Sequence, residues 1–401
     1  MRELARVPKA TVVVADAELH TGLLIIRSLA RAGLRVVAVA HREGFGTFSR
    51  WPCVRRIVAP DCDYTRTILE IAADNCAVAI FAHFETTLLS LHEQRAYAGP
   101  IVISPGTEQL QTAMNKSKVL ARAAEVGLRV PKTVVLSRDE RDRWARMNAT
   151  FGDRRPLIAK SDTEVGAAPG PGSRYLVLRR SGDRGALEEL VERSGSVLVQ
   201  EYVIGRGVGI AGLFWEGKPL CVGGHVRLRE SHATGGASTY CQSRIIPAAW
   251  DASMVLMKSL LWTGQGMVEF KVTPEGEAVL MEINPRFWGS LPLYIDSGLD
   301  VPLAAYGAFV LGNTEPRGKM REGRRMRMLA NDIPAVLTQT KGAVRIAKLF
   351  GILASTPWIV GDYVFSWSDP APFVRTIIPD IAHWLRGWWS MGRRRQTSRK
   401  V

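Results

Sequence analysis

Two glutamates that stand thirteen positions apart constrain the fold of this chain more than any other feature. Glu269 lies within the segment 268–272 and Glu282 within the segment 279–283. Apolar and polar residues alternate along 268–272 and from Met281 to Asn284, and the Pro-Glu-Gly sequence at 274–276 is a turn signal. This pattern predicts a β-hairpin with one glutamate on each strand.

The length of the predicted loop decides which residues face each other. A four-residue loop at 274–277 sets Thr273 opposite Ala278 and Glu269 opposite Glu282. Side chains directly opposite in a strand pair stand about 5 Å apart, and like charges at that distance destabilise a sheet. The facing glutamates therefore indicate either a solvated outer face or a site that binds a cation.

The residues that follow the second glutamate favour the cation site. Asn284 lies two positions beyond Glu282, so the two side chains share one face of a strand. Pro285, Arg286 and an aromatic pair follow at once, which a solvated strand does not require. Carboxylate and carboxamide oxygens suit a hard divalent cation that is held with a substrate phosphate. We therefore predict Glu269, Glu282 and Asn284 as metal ligands.

The two segments together resemble the metal-binding signature of the ATP-grasp superfamily. Val-Glu-Phe at 268–270 is followed by Met-Glu-Ile-Asn-Pro-Arg-Phe-Trp-Gly-Ser at 281–290. The resemblance implies that the three ligands hold Mg²⁺, with Mn²⁺ as a substitute, on the phosphates of ATP. It further implies that Arg286 contacts the transferred phosphoryl group. The pattern is most similar to the carbamoyl-phosphate-synthase-like and pyrrolysine-biosynthesis-like ligases.

The fold that this resemblance implies combines α/β and α+β parts. Residues 1–112 are expected to form a Rossmann-like domain with a parallel sheet, and residues 113–315 a two-subdomain ATP-grasp fold divided at 196/197. A basic, tryptophan-rich extension at 316–401 follows.

The N-terminal part reads strand, helix, strand at 11–15, 22–31 and 34–39, with further strands at 77–81 and 100–104. No Gly-x-Gly-x-x-Gly fingerprint follows the first strand, so the sequence gives no support for a dinucleotide cofactor. His83 and Glu85 follow a strand at the edge where such sheets bind ligands, and a loop pair without a ligand is the alternative.

Several residues are assigned to ATP by the resemblance. Lys116 opens a helix and Lys160 ends an apolar strand, and both are expected to contact phosphates. The glycines of a mobile flap are expected to cover the phosphates, with an ordinary loop as the alternative, and the strand at 197–205 carries the adenine-binding hinge. The flap and hinge residues are Gly166, Gly170, Gly172, Gln200, Glu201, Tyr202 and Val203. The stretch 205–207 has no carboxylate, which departs from the usual acidic ligand for the ribose.

A basic strand precedes a glycine-rich turn. Alternation along the strand puts His225, Arg227 and Arg229 on one face, and the turn at 234–238 contains two glycines that let a backbone approach a ligand. Because guanidinium groups bind carboxylates and phosphates through two hydrogen bonds, Arg227 and Arg229 are predicted to hold the acceptor carboxylate or the acyl-phosphate. A solvated sheet edge is the alternative.

Composition excludes several classes of protein. The 401 residues carry a formal charge of +15, but no recognition helix, zinc finger or RNA-binding aromatic motif accompanies the basic clusters, so nucleic acid is not an expected partner. The start of the sequence lacks the apolar stretch of a signal peptide, and the five cysteines form no Cys-x-x-Cys pair. We therefore expect a reducing cytoplasm and cysteines that serve as small packing residues.

The C-terminal extension is rich in tryptophan and arginine. Five of the eleven tryptophans lie in the last 44 residues, and the longest uncharged run, Leu349 to Gly361, is too short to span a bilayer. This composition is typical of a segment that lies on a membrane surface, here the inner face. Packing on the core and a homodimer contact are the alternatives.

The function that the sequence predicts best is ATP-dependent ligation of a small-molecule carboxylate to an amine through an acyl-phosphate. Such chemistry requires positioning and charge neutralisation rather than a nucleophilic serine or cysteine, and no such constellation is present. A kinase that phosphorylates a small substrate without an amine, and a non-catalytic nucleotide-binding scaffold, are the alternatives. The sequence does not identify the carboxylate or the amine.

Overall fold

The computed structural model of the protein describes residues 10–94, 99–152, 156–163, 175–179, 181–232, 235–356 and 359–382. The chain divides into two units that are discontinuous in sequence. The first unit consists of Met1–Ile103, Leu220–Arg244 and Phe287–Val401, and the second of Ser104–Pro219 and Ile245–Arg286.

Sixteen strands are formed by the described residues. They are β1 (Thr11–Val14), β2 (Arg35–Ala40), β3 (Val54–Ile57), β4 (Ala77–Phe81), β5 (Ile101–Ile103), β6 (Thr133–Ser137), β7 (Leu157–Ser161), β8 (Tyr175–Leu178), β9 (Ser196–Glu201), β10 (Arg206–Trp215), β11 (Lys218–His232), β12 (Gly235–Ser243), β13 (Gly264–Val272), β14 (Ala278–Asn284), β15 (Arg325–Arg327) and β16 (Gly361–Asp362).

Twelve α-helices are formed by the same residues, with a 3₁₀ turn at Ser181–Asp183 and a π-helical turn at Phe373–Ile377. They are α1 (His20–Arg31), α2 (Tyr64–Asp74), α3 (Glu85–Gln94), α4 (Thr107–Ala113), α5 (Lys116–Glu125), α6 (Arg143–Phe151), α7 (Arg184–Ser194), α8 (Pro247–Ser259), α9 (Leu291–Asp296), α10 (Val301–Leu311), α11 (Leu329–Gln339) and α12 (Gly342–Ser355). Across the described ranges, none of these helices is both long and apolar enough to cross a bilayer.

The first unit contains the predicted parallel sheet. Its order is β3-β2-β1-β4-β5, and all neighbouring strands are parallel. The central strands β1 and β2 are nearly continuous apolar runs because both faces of a parallel sheet are covered. The unit also contains β11, β12, β15 and β16 as successive neighbours. The strand-helix-strand prediction for residues 11–39 is confirmed.

The second unit contains an antiparallel sheet in the order β6-β9-β7-β8 and three neighbouring strands in the order β14-β13-β10. The four-stranded sheet packs one face against α6 and α7, where Phe151, Leu187 and Val191 meet Leu157 and Val199. The helix predicted from Lys116 is α5, which begins at that residue.

The segment after residue 359 is integrated into the first unit. Arg27 on α1 donates from Nε to Asp369 Oδ2 at 2.9 Å, and its two Nη atoms donate to the carbonyls of Val364 and Asp369 at 2.7 Å each. Arg27 and Asp369 are 4% and 1% exposed. Val364 and Asp369 are therefore part of the core around α1.

Candidate active site

The predicted acidic hairpin is formed by β13 and β14, and it sets Glu269 directly opposite Glu282. The loop that closes the hairpin differs from the prediction. Val272, not Thr273, pairs with Ala278, so the predicted loop is wrong by one residue.

A β-bulge at Met281 restores the facing pair of glutamates. Phe270 pairs with Leu280 but Glu269 pairs with Glu282, so Met281 has no residue opposite it. A regular ladder continued from the longer loop would have put Met281 opposite Glu269. Because a bulge shifts the register by one residue, Glu282 reaches the face of Glu269 while Leu280 remains in the core.

Asn284 and Arg286 complete the group. Asn284 Nδ2 lies 3.2 Å from Glu269 Oε1 and 3.5 Å from Glu282 Oε1, and Arg286 Nη2 donates to Asn284 Oδ1 at 3.3 Å. Asn284 is buried, with 8% of its surface exposed. The structure therefore brings together all four residues that the sequence assigned to metal and phosphoryl group.

The donor set fits a hard cation. Two carboxylates and one carboxamide supply oxygen ligands, and a half-turn of the Asn284 amide would present its oxygen to the same space. Within the described ranges no group of three or more His, Cys, Asp or Glu side chains is arranged to hold a metal. A cation on Glu269, Glu282 and Asn284 would therefore take further ligands from phosphate or water, as Mg²⁺ commonly does.

Lys116 is positioned by the end of β7. Its backbone N donates to the Asp162 carbonyl at 3.0 Å, and the Asp162 carboxylate accepts from Ser117 N at 2.9 Å and Ser117 Oγ at 3.0 Å. Asn115 caps the helix by accepting from Lys118 N at 2.9 Å. These contacts hold the buried Lys116 beside the strand that carries Lys160, although 44 residues separate the two lysines.

Lys160 lies on the face of its sheet that is turned away from α6 and α7. Ala159 and Val199 pack against those helices, so the adjacent residues Lys160 and Leu198, which pair with each other, lie on the opposite face. Gln200 lies on that second face with Lys160. Its side chain is buried and donates from Nε2 to a threonine hydroxyl at 2.9 Å.

The predicted adenine hinge is the end of β9 and the residues after it. Glu201 Oε1 accepts from Lys132 N at 2.9 Å, which fixes the carboxylate at the strand end. Tyr202 and Val203 are half-buried. Gly205 follows, where a Cβ would stand 2.6 Å from the Val272 carbonyl, so only glycine allows this close approach to β13. The flap glycines Gly166, Gly170 and Gly172 lie outside the described residues.

The predicted anion-binding arginines lie in the first unit. Arg227 Nη1 donates to Glu230 Oε1 at 3.3 Å and to the Gly236 carbonyl at 3.0 Å. Arg227 pairs with Cys241 and Arg229 with Tyr240, so the ladder skips one residue between the two arginines. The regular alternation predicted for this strand is therefore wrong at residue 228, because a bulge interrupts it.

Sequence reasoning missed two residues of this cluster. Asp332 on α11 is fully buried and accepts from Arg229 Nη1 at 2.7 Å and from Thr239 Oγ1 at 2.9 Å. Arg327 is 4% exposed and lies with its guanidinium 4.6 Å from the centre of the Tyr240 ring. The available signal was an acidic residue beside the apolar stretch 333–337, since buried charges are rarely left without partners.

His225 is buried, and its ring contacts another side chain of the first unit. Its Nδ1 lies 2.9 Å from Tyr294 Oη, and burial lowers its pKa to about 3, so the imidazole is neutral.

Of the five cysteines, Cys221 and Cys241 are buried as expected of packing residues, whereas Cys53, Cys62 and Cys76 are exposed.

The ligand-facing edge of the parallel sheet holds a buried aspartate that the sequence did not reveal. Asp16 lies two residues beyond the end of β1, and its Oδ2 accepts from His83 N at 2.8 Å and Phe84 N at 2.9 Å. Burial raises the pKa of Asp16 to about 6. Tyr64 Oη accepts from Asp16 N at 2.8 Å. Asp16 thereby fixes the turn that carries His83.

Comparison with known proteins identifies the fold. No family model matches the chain, and no curated protein matches it. Among solved structures, an ADP complex of an N5-carboxyaminoimidazole ribonucleotide synthetase is 15% identical over 84% of this chain and 86% of that chain, with a TM-score of 0.63. The chain has the ATP-grasp fold.

Two further structures carry the same fold. The N5-carboxyaminoimidazole synthetase from Staphylococcus aureus is 16% identical over 84% of this chain and 86% of that chain, with a TM-score of 0.64. A biotin carboxylase from Campylobacter jejuni, in a β-γ-ATP complex, is 15% identical over 78% and 74%, with a TM-score of 0.64. The ATP-grasp fold expected from the motif at 268–290 is thereby confirmed.

Proposed function

We propose that this protein is an ATP- and Mg²⁺-dependent ligase that activates a carboxylate as an acyl-phosphate and joins it to an amine. The observation that carries the proposal is the convergence of Glu269, Glu282, Asn284 and Arg286 on one hairpin of an ATP-grasp fold. Facing glutamates weaken a hairpin, so their presence is best explained by a cation that they bind.

The proposed reaction has two steps. A carboxylate oxygen of the substrate attacks the γ-phosphorus of ATP and ADP leaves, which gives an acyl-phosphate. The amine nitrogen then attacks the acyl carbon, phosphate leaves, and the nitrogen releases a proton. Both steps depend mainly on positioning and on neutralising the phosphate charges.

Each residue has a role that follows from its charge and place. Glu269, Glu282 and Asn284 would hold Mg²⁺, which supplies positive charge to the phosphate oxygens when bound. Arg286 holds the moving phosphoryl group, since a guanidinium can bind two of its oxygens. Lys116 and Lys160 neutralise the remaining negative charge of the phosphates.

The nucleotide base would be held at the end of β9. Glu201 is fixed by Lys132 N and can accept from the exocyclic amine of adenine through its carboxylate. The half-buried Tyr202 and Val203 would add backbone groups and apolar contact, and Gln200 would support the hinge from the adjacent strand position. The flap glycines would close over the phosphates.

The arginine cluster of the first unit would hold the acceptor carboxylate or the acyl-phosphate. Arg227, Arg229 and Arg327 contribute three positive charges, and Glu230 and Asp332 two negative charges, so 3 − 2 leaves one positive charge. An anionic group is the ligand that such a cluster attracts. The internal acids hold the guanidiniums in fixed orientations.

The test is ADP release by the full-length protein during a screen of amino acids and other carboxylic acids, alone and in pairs with amines. A ligase releases ADP in step with an amide product, which mass spectrometry detects. Glu282→Gln should lower ADP release more than about 100-fold, because a ligand of the phosphate-bound cation is lost. The matched control is Glu275→Gln, since Glu275 lies exposed in the loop of the same hairpin.

Three results would contradict the ligase proposal. A phosphorylated product that forms at the same rate with and without any amine would identify a kinase. Near-normal ADP release by Glu282→Gln at saturating Mg²⁺ would remove the metal assignment. ATP binding in calorimetry without ADP release for any pair of carboxylate and amine would favour a nucleotide-binding scaffold.

We also propose that the C-terminal extension contacts a membrane surface. In its described part Trp367 is 71% exposed, while Trp384, Trp388 and Trp389 lie outside the described residues. Deleting residues 383–401 should weaken binding to anionic vesicles and leave ATP affinity unchanged. Equal vesicle binding by the truncated and full-length chains would mean that residues 383–401 do not contribute to the membrane contact.

A further inference from the structure

Helix α12 exposes an apolar stripe along its length. Ile346, Phe350 and Leu353 are 70%, 72% and 72% exposed. Their spacing of four and three residues puts them on one face of an α-helix. Full burial of a side chain of this size is worth roughly 1.5–3 kcal/mol, so a surface that covers the stripe would gain substantial free energy.

Among the residues that the structure describes, the stripe contributes little to packing. The opposite side of α12 carries Ile352, which is 2% exposed and belongs to a core cluster with Ile333, Val336 and Leu337 on α11. The helix is therefore anchored by one face and presents another. A contiguous apolar surface of this kind marks an interaction site.

The charges around the stripe indicate which kind of surface it binds. Lys341, Arg345 and Lys348 are the only charged residues between positions 341 and 356, and no acidic residue occurs there. In a two-fold symmetric dimer the same patch faces itself, so these cations would oppose one another. An anionic surface is favoured by the same charges, and the net charge of +15 adds long-range attraction.

We propose that α12 docks on an anionic lipid bilayer, with Ile346, Phe350 and Leu353 inserted at the boundary between headgroups and acyl chains. Its 14 residues are about 21 Å long, which is shorter than the roughly 30 Å hydrocarbon core. The helix lies in the plane of the surface, as basic amphipathic helices do. Ile359, which is 80% exposed, follows at its C-terminal end.

This docking is independent of the ATP chemistry and of the segment after residue 382. It assigns the membrane contact to a helix of which only the C-terminal half lies in the uncharged run from Leu349 to Gly361. The basic residues bring the helix to the surface, and the apolar stripe then determines how long it stays there.

The experiment is cosedimentation of the full-length protein with vesicles of phosphatidylcholine alone and of phosphatidylcholine with phosphatidylglycerol at 3:1. We expect binding to the anionic vesicles at low salt, and weaker binding as salt screens the charges. The variant Phe350→Ser/Leu353→Ser should bind at least about tenfold more weakly, because two inserted side chains are lost.

The matched control is Val344→Ser on the same helix. Val344 is 58% exposed but lies about 160° around the helix axis from Ile346, on the side away from the stripe. Its vesicle affinity should stay within about twofold of wild type. Thermal unfolding and ATP turnover in solution should be unchanged in both variants, which separates this proposal from the ligase proposal.

Two outcomes would overturn the inference. Equal vesicle binding by the stripe variant and the wild type would mean that α12 does not insert. A wild-type protein that ignores anionic vesicles at low salt, but is a dimer that the stripe variant converts to monomers in light scattering, would assign the stripe to a second copy of this chain.

Discussion

Charged groups serve opposite purposes in the acidic hairpin of the second unit and in the core around α1 in the first. Around α1, Arg27 faces Asp369, and the carboxylate also accepts from Ser49 Oγ at 2.7 Å and Arg50 N at 3.1 Å. In the hairpin, Glu269 faces another glutamate across the ladder.

The difference teaches how a structural charge cluster can be told from a functional one. The Arg27–Asp369 cluster combines opposite charges, full burial and a hydrogen bond at each carboxylate oxygen, so its own parts compensate each other. The hairpin combines like charges on a half-buried face, and in our proposal a bound cation compensates them. The first arrangement holds the fold, and we propose that the second binds a ligand.

The largest effect is expected from Asp369→Ala. This change leaves the Arg27 guanidinium buried without its carboxylate, which typically costs about 3–5 kcal/mol of unfolding free energy. Denaturant unfolding measures it. Asp296→Ala is the control, because its partner Arg324 is 53% exposed and an exposed pair contributes about 1 kcal/mol or less. Equal losses of unfolding free energy in the two variants would contradict this contrast between the buried and the exposed ion pair.

A smaller effect is expected from Lys160→Ala on nucleotide binding. A hydrogen bond to a charged group is worth about 1.5–3 kcal/mol, so ATP affinity should fall roughly 10- to 100-fold. Calorimetry measures the affinity, and the exposed Lys118 supplies a control substitution with alanine. Unchanged ATP affinity in Lys160→Ala would remove this lysine from the phosphate site.

The hairpin itself should respond to Glu282→Gln with a change of opposite sign. In the presence of EDTA the variant should be about 0.2–1 kcal/mol more stable than wild type, because the facing like charges are relieved. Added Mg²⁺ with ATP should raise the unfolding temperature of the wild type more than that of the variant. A loss of stability in EDTA would mean that Glu282 supports the fold.

A pH-dependent effect on stability is expected from Asp16. Its raised pKa, about 6 against the ordinary 3.8, means that the native state holds the proton more tightly than the unfolded chain. The stabilisation is complete below about pH 4 and is lost as pH rises to about 6. The unfolding free energy of wild type minus that of Asp16→Asn should therefore fall across this window and be constant above it. A difference that does not change with pH would show that burial does not raise the pKa of Asp16.

Local patterns predicted a large part of the fold. The strands and helix of residues 11–39 and the strand at 77–81 are found where apolar runs and turn residues put them. The pairing of Glu269 with Glu282 was also predicted, but through a loop that is one residue too short. The bulge at Met281 corrected the register, and a bulge has no reliable local signal because packing on both strands decides it.

Long-range contacts could not be predicted in this way. Arg27 and Asp369 are 342 positions apart, and nothing near either residue indicates the other. The same holds for Asp332, whose role depends on Arg229, 103 positions away. These contacts depend on how distant helices and strands pack together. The spacing of apolar residues, with a period of 2 in strands and 3.6 in helices, does not show which distant elements will meet.

The sequence by itself determined the chemical groups available to this protein: the carboxylates at 269 and 282, the carboxamide at 284, the arginine at 286 and the lysines at the start of α5 and near the end of β7. Spacing along one hairpin is short enough for strand geometry to bring those oxygens together. Tertiary structure alone decided that Val364 and Asp369 belong to the core and that α12 buries Ile352 while it exposes Phe350. The physical reason is that burial depends on which distant elements cover a side chain, and a local pattern shows only that two faces differ.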